Sequence, residues 1–395
     1  MKERYLHVLV SSDNWGQPMI KYRRHRLIEY IQQQDVALDI LWVYPASTNL
    51  RRPKSYLEVH KLIKNNPAIN SQAIKEWALP DCLPQWLMQF KSSYGHPQFK
   101  EIIKFVSKYE GKKILWFSYP AFPYLAEMFK WDKVVYDCSD LWVEQLIKTK
   151  APTYSTRFAN KLIDQAEKTI ISKSDNIFAS SHYLAERINS TSDKQAILVE
   201  NGVDPFFLQD RSQRDTDLLK HIPRPRLGYV GPVRSKIDIL LLNEMADLRP
   251  EWNFVIVGPN WLSEEYGFRS IIEKENIFWT GEVPYKAVPE YISCLDVGLL
   301  PYKEIEYNKA VFPIKYYEYL SQGIPVVGCG LPSTEIHNQK GIYLHVERKH
   351  FDQACEEALL WSKNNKPYFQ ERVKLADAAI WDNKFNYILD QVMHN

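Results

Sequence analysis

Short apolar runs alternate with helical patterns along almost the whole sequence. The apolar runs have the length of strands, and stretches with helical spacing lie between most of them. This alternation predicts parallel sheets wrapped by helices on both faces, because parallel strands need a crossover connection. The expected fold class is therefore α/β, built from doubly wound, Rossmann-like parallel sheets. The predicted strands are 5–10, 38–43, 114–117, 133–136, 176–179, 196–199, 226–230, 254–257, 277–279, 297–300, 325–327 and 342–346.

The chain is long enough to predict that these strands and helices form two domains. A single core rarely serves more than about 250–300 residues, and this chain has 395. The best break is Asp204 to Arg224, which is polar, bounded by prolines and without strand–helix rhythm. We predict a first domain at 1–204, a linker at 205–221 and a second domain at 222–367. Residues 368–395 carry a long helical pattern that is expected to return to the first domain.

Composition argues against several other classes of protein. The net charge of +2 is too small and too evenly spread to indicate nucleic-acid binding. The five cysteines are widely spaced and include no C-x-x-C, so free thiols in a reducing compartment are expected rather than disulfides or zinc. The N-terminus lacks a signal-peptide pattern. The longest apolar run, Ile114 to Phe129, contains prolines and falls short of the ~20 residues of a spanning helix. We therefore expect a cytoplasmic protein.

A glycine and two cations follow the first predicted strand of the second domain. Gly231 would allow close backbone approach, and Arg234 and Lys236 would offset the charge of a diphosphate. Ligands of open α/β sheets bind beyond the carboxyl ends of the strands, which is where this segment lies. The sequence favours a diphosphate site, with a structural turn beside two solvated cations as the alternative.

A further charged pair lies on a predicted helix. Pro313 suits the first turn of this helix, and Gly323 suits its C-terminal cap. Lys315 and Glu318 are three residues apart and so share one face. Lys315 could bind phosphate, while Glu318 could accept hydrogen bonds from ribose hydroxyls. An exposed ion pair of little energetic value would have the same spacing.

The segment FPIKYYEYLSQGIPVVG, which begins at Phe312, resembles the donor-site helix of retaining glycosyltransferases of the GT-B fold, family 4. Three further segments resemble this family in the same order, at 199–206, 278–285 and 330–336. The resemblance implies two Rossmann-like domains that face each other across a cleft. It also implies metal-independent transfer from a nucleotide sugar to a membrane-linked or polymeric glycan, without a cofactor. UDP is the expected nucleotide of the donor.

The resemblance also assigns residues to the donor site. Gly281, Val283 and Pro284 stand in the loop that would hold the nucleotide base by backbone groups. Glu335 stands in the turn after the fifth predicted strand of the second domain and is expected on the donor side.

Three positions depart from the family pattern. Ala310 stands where the first of two glutamates separated by seven residues would be, and Pro232 stands where many relatives have arginine. Many relatives have histidine where this chain reads Asp137-Cys-Ser-Asp140, so Asp140 is the expected polar contact to the sugar. Segments 20–27, 41–45 and 135–142 nevertheless resemble bacterial surface-polysaccharide members of the family.

Near the N-terminus, Gly16 follows the first predicted strand and could let a loop approach the diphosphate, or form an ordinary turn. The run Arg23-Arg24-His25-Arg26 begins the next helix. A solvated basic face is the default expectation for this run, but its place near a strand end makes Arg24 and His25 candidate contacts to the acceptor. No second ligand lies at helical spacing from His25, so no metal site is expected.

Two segments carry weaker signals. Leu50–Trp77 mixes basic and aromatic residues, and it could rest on the inner face of an anionic membrane or form an irregular surface insertion. Asp215-Thr-Asp217 has the D-x-D form that binds a metal–diphosphate in other transferases. It lies in the expected linker, where a solvated charge cluster explains it better.

The mechanism that these residues predict is a retaining transfer without a protein nucleophile, in which Lys315, Lys236 and Arg234 stabilise the departing diphosphate. The acceptor hydroxyl would attack the same face of the sugar and pass its proton to a phosphate oxygen. Two alternatives stay open. A hexosamine-nucleotide 2-epimerase would share the architecture. Ala310 and Pro232 motivate a non-catalytic nucleotide-sugar-binding subunit of a polymer-assembly complex.

Overall fold

The computed structural model describes residues 4–12, 15, 21–34, 37–45, 74–79, 97–145, 154–209, 218–262, 268–363 and 366–394. The chain forms two compact units, each built on a parallel sheet. The first unit comprises Met1–Val199 and Phe385–Asn395, and the second comprises Glu200–Lys384. The predicted α/β class with two Rossmann-like sheets is confirmed.

The described strands of the first unit are β1 (Arg4–Val10), β2 (Ala37–Pro45), β3 (Ile74–Leu79), β4 (Lys112–Phe117), β5 (Lys133–Cys138), β6 (Asn176–Ala179) and β7 (Ile197–Leu198). Its helices are α1 (Arg23–Gln33), α2 (Pro97–Lys108), α3 (Leu125–Met128), α4 (Trp142–Gln145), α5 (Tyr154–Lys173) and α6 (His182–Thr191). The strand order is β3-β2-β1-β4-β5-β6-β7, and every pair is parallel. The order reverses between β1 and β4, so the carboxyl ends of these two strands mark the expected ligand edge.

The described strands of the second unit are β8 (Arg226–Val230), β9 (Asn253–Val257), β10 (Ile277–Trp279), β11 (Val297–Pro301), β12 (Val326–Cys329) and β13 (Tyr343–His345). Its helices are α7 (Ile239–Leu248), α8 (Phe268–Ile272), α9 (Val288–Ser293), α10 (Glu306–Lys309), α11 (Lys315–Ser321), α12 (Phe351–Lys363) and α13 (Lys366–Ala378), and α14 (Trp381–His394) follows. The order is β10-β9-β8-β11-β12-β13, which reverses between β8 and β11. All residues of β8 and β11 are buried, because helices cover both faces of a parallel sheet.

The boundary between the two units lies between Val199 and Glu200, before the boundary expected at 204. The backbone N–H of Val199 donates to the Ala179 carbonyl of the first sheet (2.9 Å). The side chains that follow bond to the second unit instead. Glu200 Oε2 accepts from the Tyr317 hydroxyl (3.0 Å), and Asn201 Nδ2 donates to the Phe312 carbonyl (2.8 Å).

The helical pattern at the C-terminus forms two helices rather than one. α13 packs against α11 in the second unit, and its buried Arg372 donates to the carbonyls of Gly341 and Gly323, each at 2.7 Å. Between α13 and α14 the chain pairs with Val203, whose backbone exchanges hydrogen bonds with Ala379 and Trp381. The division between the units places only Phe385–Asn395 with the first.

Part of the segment 50–77 is regular structure. Ile74–Leu79 forms β3, which pairs in parallel with β2, so the alternative of an irregular insertion is wrong for residues 74–77. The remainder of that segment, Gly16 and the Asp215–Asp217 pair lie outside the described residues. Four described cysteines, Cys138, Cys294, Cys329 and Cys355, are free and buried. Across the described ranges, no helix is both long enough and apolar enough to cross a membrane.

Candidate functional site

Three glycines follow three neighbouring strands of the second sheet. Gly231 follows β8, Gly258 follows β9, and Gly281 lies just beyond β10. The Gly231 N–H donates to the Val257 carbonyl (2.7 Å), and the Gly258 N–H donates to the Gly281 carbonyl (2.8 Å). A Cβ on Gly258 would stand 2.5 Å from the Gly231 carbonyl oxygen. Bare backbone therefore lines the carboxyl edge of the sheet, where ligands of open α/β sheets bind.

Lys315 lies directly against the first of these glycines. A Cβ on Gly231 would stand 2.5 Å from Lys315 Nζ, and the φ of 139° at this position also favours glycine. Burial lowers the pKa of Lys315, while Glu318 acts to raise that pKa and Arg234 acts to lower it. The ammonium group is thus partly stripped of water and lies near one carboxylate and a second cation. An added anion would stabilise both cations.

The other two predicted cations rest on aromatic rings. The guanidinium carbon of Arg234 lies 4.2 Å from the ring centroid of Trp261, which is itself 40% exposed. Lys236 Nζ lies 5.2 Å from the ring centroid of Tyr307 and 5.8 Å from that of Tyr302. Cation–π contacts of this kind hold a charged group in place. Neither side chain is therefore a freely solvated cation.

Asn308 holds the backbone of Lys236. It is fully buried, and its Nδ2 donates to the carbonyls of Lys236 (3.1 Å) and Lys303 (2.7 Å). The Lys303 N–H also donates to the Lys236 carbonyl (3.0 Å). The loop after β8 is thereby tied to the loop after β11. Nothing in the sequence marks Asn308, because only the fold brings it beside Lys236.

Glu318 is a buried carboxylate, with 7% of the residue exposed. Its Oε1 lies 3.4 Å from the Tyr285 hydroxyl, which also lies 2.7 Å from Asp204 Oδ2. The alternative of an exposed ion pair with Lys315 is wrong, because Glu318 is buried and Lys315 is desolvated. Tyr285 ends the family-like segment 278–285, but no role was predicted for it from the sequence.

The remaining donor-side candidates lie in loops and 3-10 helices. Val283 packs against the core of the second unit, and Pro284 is exposed directly before the 3-10 helix Tyr285–Ala287. Glu335 lies in the 3-10 helix Pro332–His337, where its Oε1 is 3.5 Å from His345 Nδ1. These positions leave the donor-side roles of Val283, Pro284 and Glu335 as predictions.

Two of the three departures from the family pattern, Ala310 and Pro232, lie in the second unit. Ala310 is buried and ends α10, and the Pro232 carbonyl accepts a hydrogen bond from the Tyr229 hydroxyl (3.0 Å). Because Pro232 carries no charge where many relatives have arginine, the cations available near the end of β8 are Arg234, Lys236 and Lys315. Within the part of the chain that the structure describes, no group of three or more His, Cys, Asp and Glu side chains is suited to hold a metal ion.

A second buried carboxylate borders α11. Glu200 Oε1 lies 2.7 Å from His337 Nε2, and Glu200 Oε2 accepts from the Tyr317 hydroxyl. The His337 ring packs against Phe312, with ring centroids 5.3 Å apart. These contacts fix the start of the second unit to the segment that carries Lys315. The sequence signal for Glu200 is its place directly before Asn201 in the family-like segment 199–206.

In the first unit, the basic run at the start of α1 is buried, which corrects the expectation of a solvated basic face. Arg23 Nε donates to both carboxylate oxygens of Asp137, at 3.0 and 2.9 Å, and its Nη1 donates to the Val199 carbonyl (2.7 Å). A buried guanidinium needs such partners, because desolvation of an uncompensated charge is costly. Arg23 and Asp137 therefore tie α1 to β5.

The first-unit candidates for acceptor and sugar contacts are buried or partly buried. The Arg24 guanidinium carbon is 4.5 Å from the Tyr22 ring centroid. His25 is buried, with its ring 5.1 Å from that of Trp42. Asp140 is partly buried and follows β5. Their roles toward sugar or acceptor stay predictions.

Known glycosyltransferases resemble this chain in sequence. Residues 224–361, which contain the strand-end glycines, Lys315 and Glu318, match the family described as Glycosyl transferases group 1. The chain is also similar to TuaH of Bacillus subtilis (strain 168), described as a teichuronic acid biosynthesis glycosyltransferase. The identity is 33% over 402 residues, which cover 98% of this chain and 97% of TuaH.

Solved glycosyltransferase structures share the fold. A sucrose-phosphate synthase from Thermosynechococcus elongatus has a TM-score of 0.70 at 15% identity and covers 98% of both chains. Anabaena HepE in complex with UDP also has a TM-score of 0.70, at 12% identity, and covers 99% of this chain and 100% of HepE. These likenesses establish the GT-B fold. Because the similarity to TuaH runs through nearly the whole of both chains, the chain is an enzyme that belongs to the group 1 glycosyltransferases.

Proposed function

We propose that this enzyme transfers a sugar, with retention of configuration and without a metal ion, from a UDP donor to a lipid-linked or polymeric glycan of a bacterial surface polysaccharide. The observation that carries the proposal is the packing of Lys315 on Gly231 at the carboxyl end of β8, with Arg234 nearby and Glu318 on the same helix. Membership of the glycosyltransferase family disfavours both the 2-epimerase and the non-catalytic subunit.

A nucleoside diphosphate fits the charges of the second unit. Arg234 lies close enough to lower the pKa of Lys315, and a diphosphate beside the two cations would relieve their repulsion. Glu318 can only accept hydrogen bonds when ionised, which suits the hydroxyls of a ribose. UDP is the proposed nucleotide because HepE, which was solved with UDP and with UDP-glucose, has the same fold.

In the proposed reaction, the bond between the anomeric carbon and the diphosphate oxygen breaks, and the acceptor hydroxyl forms the new glycosidic bond on the same face of the sugar. The acceptor proton passes to an oxygen of the departing diphosphate. Lys315, Lys236 and Arg234 stabilise the negative charge that develops there. These cations supply the charge that a metal ion supplies in D-x-D transferases, so the reaction is expected to proceed without one.

The acceptor is proposed to be a surface glycan because TuaH, which is similar along nearly its whole length, is described as acting in teichuronic acid biosynthesis. Arg24 and His25 are the proposed acceptor contacts in the first unit, and Asp140 is the proposed contact to the sugar. A lipid-linked acceptor would place the enzyme in the cytoplasm at the inner face of the membrane. The basic and aromatic segment 50–77 is the proposed peripheral membrane contact.

A two-stage assay tests this function. Thermal shift with UDP, GDP, ADP and CMP selects the nucleotide, because any ligand that binds the folded state raises its apparent stability. Radiolabelled UDP-sugars are then incubated with the enzyme and bacterial membrane lipid extract, with Lys315→Ala as the inactive control. We expect UDP to give the largest shift and one UDP-sugar to label the extract. A shift from another nucleotide alone, or label transfer that survives Lys315→Ala, would contradict the proposal.

A further inference from the structure

Tyr285 stands between two carboxylates of the second unit. Its hydroxyl lies 2.7 Å from Asp204 Oδ2 and 3.4 Å from Glu318 Oε1. A tyrosine hydroxyl has a single hydrogen, so it makes a full hydrogen bond to one carboxylate only. Because hydroxyl hydrogen bonds span about 2.5–3.0 Å, Asp204 receives that hydrogen. Glu318 lies beyond this range but still in contact with the same oxygen.

The ring of Tyr285 is held separately from its hydroxyl. Its centroid lies 5.3 Å from that of Phe206 and 5.7 Å from that of Phe207. Both phenylalanines belong to the 3-10 helix Pro205–Leu208, which begins directly after Asp204. One short segment therefore fixes both the ring and the hydroxyl, although Tyr285 remains 42% exposed.

The Glu318 carboxylate is at the end of a flexible side chain, so a fixed neighbour restricts the orientations that it can take. Its backbone is secured in α11, where Ser321 Oγ donates to the Glu318 carbonyl (2.6 Å). Ordering a glutamate side chain costs conformational entropy. A carboxylate that is already oriented loses less of that entropy when a ligand arrives, so preorganisation increases affinity.

We propose that Tyr285, anchored by Asp204, positions the Glu318 carboxylate for the ribose of the donor nucleotide. The inference rests on the proposed donor-binding function of Glu318. When ribose hydroxyls donate to Glu318, Tyr285 keeps its hydrogen bond to Asp204 and limits the carboxylate to one orientation. Tyr285 therefore sets nucleotide affinity and the recognition of ribose, whereas the rate of transfer depends on the cations near β8.

The test compares UDP with 2′-deoxy-UDP by calorimetry on the full-length chain. Tyr285→Phe removes the hydroxyl and keeps the ring against Phe206 and Phe207. We expect the Kd for UDP to rise about tenfold, because a Glu318 carboxylate that is no longer oriented loses more side-chain entropy when the ligand binds. The preference for UDP over 2′-deoxy-UDP is expected to shrink, and kcat to stay within about twofold. Asp204→Asn is also expected to raise the Kd for UDP and to reduce the preference for UDP over 2′-deoxy-UDP, each by less than Tyr285→Phe does.

The matched control is Tyr291→Phe on α9, which removes a tyrosine hydroxyl that makes no hydrogen bond to the described part of the chain. This variant is expected to bind both nucleotides as the wild type does. If Glu318→Gln weakens UDP binding while Tyr285→Phe leaves both affinities unchanged, the positioning role is overturned and the donor site stands. Equal losses for UDP and 2′-deoxy-UDP in Tyr285→Phe also overturn it. If Glu318→Gln leaves UDP binding unchanged, the donor site and the positioning role both fail.

Discussion

The side chain of Lys315 fills the space beside Gly231 that a Cβ would need, so the ammonium group reaches the carboxyl end of β8 only because position 231 is glycine. Residues far apart in the sequence thus form one cationic position at the edge of the second sheet. Burial lowers the pKa of this lysine, Glu318 acts to raise that pKa, and Arg234 acts to lower it. The expected behaviour of the enzyme depends on this arrangement.

Transfer is expected to survive removal of divalent metal ions, because Lys315, Lys236 and Arg234 supply the positive charge near the proposed diphosphate. The measurement is the transfer rate after dialysis against EDTA, with and without added Mg²⁺ or Mn²⁺. Activity that EDTA abolishes and Mn²⁺ restores would refute the metal-independent mechanism.

Glu318→Ala is expected to weaken UDP binding by about 1.5–3 kcal/mol, the usual range for hydrogen bonds to a charged group. The physical reason is the loss of the only carboxylate proposed to accept from the ribose. Calorimetry with UDP measures the change, and circular dichroism confirms that the variant is folded. Unchanged UDP affinity in a folded variant would reassign Glu318 to a structural role.

The pH dependence of UDP binding should report the titration of Lys315. UDP binds the protonated ammonium, so affinity is expected to fall as pH rises through a pKa that lies below the ordinary lysine value of 10.5. Glu318 raises this pKa and Arg234 lowers it. The alkaline midpoint should therefore move to lower pH in Glu318→Gln and to higher pH in Arg234→Gln.

Lys315→Arg is the control for this titration, because a guanidinium stays charged over the whole range. The ionisations of UDP itself are the same in every variant, so differences between variants report the protein. Equal midpoints in the wild type, Glu318→Gln and Lys315→Arg would show that another group titrates.

Lys236→Ala and Arg234→Ala should differ in their effect on turnover. Lys236 is partly buried and held by Tyr302, Tyr307 and the backbone contacts of Asn308, so its loss is expected to reduce kcat by roughly 10². Arg234 rests on the half-exposed Trp261, where solvent screens its charge, and its loss is expected to cost less than about tenfold. Lys349→Ala, an exposed lysine of the same unit, serves as the control in steady-state kinetics. The reverse order would show that Arg234 is the more important cation.

With one exception, the strands could be predicted from the sequence because they are short and mostly apolar runs. The exception is β3, since Ile74–Leu79 includes Lys75 and Glu76 and lacks a continuous apolar pattern. The pairing of strands also had to come from the structure. The edge formed by Gly231, Gly258 and Gly281 depends on β10, β9 and β8 lying side by side.

Candidate residues near strand ends were found from their chemical type, but their surroundings were not. Periodicity could not show that Arg23 would be buried, because its partner Asp137 is distant in sequence and reaches it only through β5. Tyr285 and Asn308 were missed for the same reason. Each makes its contacts through the tertiary fold, to Asp204 and Glu318 in one case and to the Lys236 backbone in the other.

The most direct test of the cationic position is the turnover of Lys315→Ala, measured with saturating donor and compared with its donor KM. An interaction made mostly with the departing diphosphate affects turnover more than ground-state binding. We therefore expect kcat to fall by roughly 10²–10³, the scale of losing one preorganised donor to a developing charge, with only a modest rise in KM. A folded Lys315→Ala enzyme with near-normal kcat would contradict the assignment of Lys315 to the diphosphate.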